Sequence, residues 1–154
     1  MSQPSRIPFE AQLDDGYCLP AFATMVLAAL GMKVSQRDVA KRLATGAAGT
    51  PFSRLHRLAG PNVRVEVGIN GTLAQLYAEV QGNRPVVAAI HAGWLPHAEI
   101  TSPHAVVVID TSDTAVTILD PAGNSEPIDV PIDAWVAAWV EMDCVYAIIA
   151  RQTS

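Results

Sequence analysis

Cys18 is followed at once by Leu19-Pro20 and then by an apolar run rich in Ala, Leu and Met that ends at Gly31. A proline is tolerated in the first turn of a helix, where its missing N–H costs nothing, so the run predicts a buried helix over Cys18 to Leu30. The thiol then sits at the helix N-terminus, where free N–H groups and the macrodipole favour a thiolate. Such a cysteine is a candidate nucleophile; a cysteine without partners would read more simply as a small buried hydrophobe. Gln12 lies six residues upstream, across the turn Asp14-Asp15-Gly16-Tyr17, where its amide can donate to an oxyanion formed beside the helix end.

A thiolate nucleophile needs a base, and the base needs a group that orients it. His104 opens the apolar run to Asp110, and Thr111-Ser112-Asp113 leads into Ala115 to Leu119. A three-residue hairpin loop at 111–113 sets Asp110 opposite Thr114, Val106 opposite Ile118 and His104 opposite Asp120. Directly opposed residues on one face have Cβ atoms about 4.5 to 5.5 Å apart, close enough for a carboxylate to hold an imidazole tautomer. Cys18, His104, Asp120 and Gln12 are therefore the expected catalytic group. The spacing of His91, His97 and His104 follows no metal-ligand pattern, so neither metal nor cofactor is expected. His56 reads as a helix-face residue, Trp135 and Trp139 as core or cleft-wall aromatics, and Cys144 as a packing residue inside a terminal strand.

Ser35-Gln36-Arg37-Asp38 opens a second helix in capping-box fashion, and Thr50-Pro51 caps a short third one reaching Ala59. Val63 to Val67 alternates as a half-exposed strand, and Thr72 to Val80 is a fourth helix. From Pro85 onward the pattern is β: Val86 to His91, His104 to Asp110, Ala115 to Leu119 and Cys144 to Ala150, with a short helix over Asp133 to Val140. Helices first and strands later predict an α+β fold, N-terminal helices packed on a C-terminal antiparallel sheet. Its 154 residues, half of them apolar and 16% charged, suit one domain with a well-filled core. A formal net charge of −5 argues against nucleic acid as a partner. With no secretory leader and no run of membrane-span length, the expectation is a soluble, cytoplasmic protein with two free thiols. Ala92 to Pro103, just before His104, is expected to wall the cleft, with Trp94 or Leu95 against substrate.

Gln12 and Cys18 with Pro20-Ala21 and Met25-Val26-Leu27 resemble the opening of the bacterial bacteriocin-processing, double-glycine leader peptidases of the papain-like superfamily. His104 to Val108, with Asp120-Pro121-Ala122 sixteen residues on, resembles that family's histidine-strand and Asp-Pro motifs. Gly49-Thr50, Gly82 with Pro85-Val86, and Trp139 fall at similar signposts, so the likeness spans about Gln12 to Ala150. It implies a papain-like fold with Cys18 as nucleophile, His104 as base, Asp120 as orienter and Gln12 in the oxyanion hole, acting on a peptide or protein without a cofactor. Leu19 stands where the family usually has Gly and is expected to narrow the cleft beside the thiol. The Cys18-Leu19-Pro20 start also resembles the transglutaminase-like leader peptidases of lasso-peptide pathways. The resulting expectation is a stand-alone cysteine peptidase, with a catalytically silent peptide-binding module and an acyl or amide transferase as the alternatives.

Overall fold

The computed structural model describes residues 7–14, 16–47, 49–96, 103–120 and 126–152. Helix α1 (Cys18–Ala29) is buried along Leu19 to Leu27, as an apolar segment without a polar stripe must be. It stops where Gly31, at φ +86°, lets Met32 N bond Leu27 O and Gly31 N bond Ala28 O. Helix α2 (Gln36–Arg42) starts under the Ser35 hydroxyl, which accepts from Asp38 N. Residues 52–58 form a 3₁₀ helix in place of the expected third α-helix. Helix α3 (Leu73–Gln81) begins with a full capping box between Thr72 and Gln75.

Among the described residues six strands form one antiparallel sheet: β1 (Val63–Gly68), β2 (Val86–His91), β3 (Pro103–Thr111), β4 (Ala115–Leu119), β5 (Ile128–Pro131) and β6 (Tyr146–Arg151), in the order β1-β6-β2-β3-β4-β5. The α+β class and antiparallel sheet agree with the sequence; the layering is richer. Because β2, β3 and β6 are apolar on both faces, each face has its own core. Val87, Val107, Ala147 and Ile149 pack against α1, α2 and the 3₁₀ helix. Val86, Val106, Val108 and Ile148 pack against α3 and α4 (Ile132–Val140) on the other side. The helices are thus divided between the two faces.

Two sequence readings are corrected here. Strand β5, which edges β4 and ends at Pro131, is not among the predicted strands; an edge position accommodates its proline. Cys144 lies in the turn before β6 at φ +49°, partly buried against the second core, rather than inside the strand.

Candidate active site

The first turn of α1 has two N–H groups without a helical partner, those of Cys18 and Leu19. Pro20 has none, and Ala21 N already bonds Tyr17 O. Tyr17, at the N-cap, contributes no side-chain cap. The Leu19 N–H donates to the Cys18 sulfur, and a second backbone donor comes from Ala105 on β3.

The direction of the Ala105 N–H follows from sheet geometry. Ala89 stands opposite Ala105, and Ala89 N bonds Val145 O on the β6 side. The pair is therefore a non-hydrogen-bonded one, and Ala105 N–H points away from β2. On that flank the β3–β4 ladder ends with Val107 opposite Leu119, so no strand residue of β4 reaches Ala105. The Ala105 N–H thus points to the flank from which it donates to Cys18.

His104 Nε2 and Asp120 Oδ1 are 2.6 Å apart, and both side chains are buried. Cys18 also hydrogen-bonds the His104 ring, so with Nε2 taken by Asp120 the thiol meets Nδ1. Burial works to raise the Cys18 pKa, but the His104 hydrogen bond and charge, with the Ala105 and Leu19 N–H groups, lower it below the ordinary thiol value. Burial works against the imidazolium of His104, yet the hydrogen bonds and charges of Asp120 and Cys18 bring its pKa up to about 9. The geometry thus favours a thiolate facing an imidazolium, which in turn leans on a carboxylate.

The hairpin that joins His104 to Asp120 differs from the expected one. Strand β3 runs on to Thr111, and Asp110 stands opposite Thr117 rather than Thr114. The turn spans Ser112 to Ala115: Ser112 N bonds Ala115 O, and the Ser112 hydroxyl accepts from Thr114 N and Ala115 N. That lengthening alone would set Asp120 opposite Val107, on the face away from His104. A bulge between Val108 and Asp110 removes one step, so Val108 stands opposite Ile118 and the ladder's continuation puts Asp120 across from Val106. His104 is two residues from Val106 and on the same face. The expected contact therefore forms, but diagonally.

Gln12 is partly buried; its Nε2 donates to Asp14 O at 3.2 Å, leaving the second amide hydrogen, and its Oε1 has no partner among the described residues. Leu19 departs from expectation. It is 2% exposed and packed in the first core, so its N–H, rather than its side chain, meets the thiol. Leu95 is likewise buried, in the second core, whereas Trp94, in the short 3₁₀ turn Ala92–Trp94, is half exposed. Residues 97–102, including His97, and 121–125, including Pro121-Ala122, lie outside the described residues. Among the described residues no group of three or more His, Cys, Asp or Glu could hold a metal ion, and no helix is long and apolar enough to cross a membrane. A cavity of about 200 Å³ between Glu66, Gln75, Glu79, Trp139 and Tyr146 lies on the α3 and α4 side of the sheet and is lined by none of these residues.

A helix-start cysteine hydrogen-bonded to a strand histidine, itself held by an aspartate, on an α+β fold of this topology defines a papain-like arrangement. The chain belongs to the Peptidase C39-like family, whose model matches residues 5–147. Its fold is similar to that of a protein described as a C39-like peptidase from Bacillus anthracis, at TM-score 0.78 and 23% identity, with 97% of each chain covered. It is also similar to a double-glycine motif protease from an AMS/PCAT transporter, solved in complex with the leader peptide, at TM-score 0.75 and 15% identity, covering 99% of this chain and 96% of that one. The peptidase domain of Streptococcus ComA, a bi-functional ABC transporter involved in a quorum-sensing pathway, matches at TM-score 0.74 and 15% identity, covering 96% of this chain and all of that one. No curated protein matches.

Proposed function

We propose that the protein is a cysteine peptidase that cleaves a peptide or protein substrate through Cys18, His104 and Asp120. The Cys18 thiolate attacks the carbonyl carbon, and the tetrahedral oxyanion is met by the Cys18 N–H and the second Nε2 hydrogen of Gln12. The His104 imidazolium gives its Nδ1 proton to the leaving amine, which departs as the C–N bond breaks and the acyl-thioester forms. Neutral His104 then takes a proton from water as the hydroxide attacks the thioester, and collapse breaks the C–S bond, releasing the acid product and restoring the thiolate–imidazolium pair. Asp120 fixes the ring and stabilises each imidazolium.

The observation that carries this reading is the buried 2.6 Å His104–Asp120 bond behind a histidine that itself bonds a helix-start thiol. A peptide-processing role is supported by the likeness to a double-glycine motif protease, which was itself solved with a leader peptide. Trp94, half exposed beside the stretch leading to His104, is the proposed substrate contact. The test is a cysteine-directed electrophile at neutral pH followed by peptide mapping. Cys18, its pKa lowered, should label well ahead of Cys144, whose pKa burial and the Asp143 charge raise. Equal labelling, or none at Cys18, would favour a silent binding module.

A further inference from the structure

Gln36 is a buried polar side chain that the proposed chemistry does not use. It is 2% exposed at the first position of α2, a place where a polar residue ordinarily faces water. Its Nε2 donates to Glu10 Oε2 at 2.7 Å and to Ala11 O at 3.0 Å, while its Oε1 accepts from Leu13 N at 2.8 Å. Both amide hydrogens are engaged, so the group is satisfied at a depth where an unpaired amide would be costly.

The pattern of those bonds matters more than their number. Ala11 O and Leu13 N flank Gln12, and one amide bonding the carbonyl of one residue and the N–H of the residue two further on does what a neighbouring strand does in a ladder. Residues 7–14 belong to no strand or helix. The Gln36 carboxamide thus holds the backbone on both sides of Gln12.

We infer that Gln36 is a positioning residue for the oxyanion pocket, acting through Gln12 by fixing the backbone at Ala11 and Leu13. This rests on the peptidase reading, in which Gln12 donates to the oxyanion. Gln36→Glu keeps the shape and the acceptor for Leu13 N but loses the donor and sets a second carboxylate against Glu10. In a Cys144→Ala background two rates at Cys18 are compared. Alkylation by iodoacetamide needs the thiolate but forms no oxyanion; acylation by p-nitrophenyl acetate, followed by p-nitrophenolate release, forms one.

Removing an oxyanion donor outright costs about 10² to 10³, and displacing one costs less, so Gln36→Glu should slow acylation about tenfold. Alkylation should stay within about twofold, because the groups that lower the Cys18 pKa are elsewhere. Gln12→Ala should give the same selective loss, and adding Gln36→Glu to it should do little more. The exchange Glu10→Gln with Gln36→Glu restores one donor–acceptor pair and should recover part of the acylation rate; it also serves if Gln36→Glu alone does not fold. Acylation and alkylation falling together, no loss of acylation, or additive losses would each overturn the positioning role. Wild-type protein that is alkylated but never acylated at Cys18 would instead overturn the peptidase reading.

Discussion

Asp120→Asn tests the coupling of burial to charge. Asparagine keeps the shape and can still hydrogen-bond His104, but it removes the charge that opposes desolvation of the imidazolium. Raising the histidine pKa from 6.5 to about 9 corresponds to about 3 kcal/mol in favour of the charged ring. With the carboxylate gone, burial pulls that pKa back toward 6.5. At about pH 8 the wild-type ring is about nine-tenths protonated and the variant ring about 3%, so the competent pair falls about thirtyfold. A serine triad loses about 10⁴ from the comparable change. The loss here is smaller because the Leu19 and Ala105 N–H groups still hold the thiolate. The assay is kcat/KM against pH. The wild-type alkaline limb should fall near pH 9, where His104 loses the proton it must donate; the variant limb should fall near pH 6.5 to 7, with the folded far-UV spectrum unchanged. A variant with wild-type rate and an alkaline limb still near pH 9 would refute the role of Asp120.

Cys18→Ala should abolish turnover while moving Tm by no more than a few degrees in thermal scans, since a small side chain at the helix start contributes little packing. Gly16→Ala should lower stability by about 1 to 3 kcal/mol in urea titration: φ is +81° there, and a Cβ would stand 3.0 Å from Ala47 O and Gly49 N. Trp94→Ala should leave Tm within about two degrees, as suits an exposed side chain, while raising KM for peptide substrate several-fold.

The elements that a strong local signal marks were legible in the sequence. Helix α1 starts at Cys18 because Pro20 and the apolar run agree, and β2 and β4 match the predicted ranges residue for residue. The His104–Asp120 contact was legible as a face relation and illegible as a register. Side-chain alternation fixes only odd or even, whereas the Ser112 turn and the Ile109 bulge each shift the count, and neither leaves a mark on the hydrophobic pattern. Gln36 was read as a helix-start residue, which it is; that its amide grips residues 10–13 depends on how α2 meets the lead-in, and no spacing encodes it. Leu19 could not be told apart as core or cleft, because the first turn of a helix presents both.

The early end of β4 sets a limit on how this protein can be made more stable. An engineer would ordinarily lengthen a short hairpin strand, carrying the ladder past Leu119 so that the next N–H on the flank of β3 gains a carbonyl partner, about 0.5 to 1.5 kcal/mol for the bond. The next donor on that flank is the Ala105 N–H, already spent on the Cys18 sulfur. A tidier sheet would compete with the thiolate for the same hydrogen, so thermostable variants selected for strand order at this edge should come out slower, while stabilising changes on the α3 and α4 side carry no such trade.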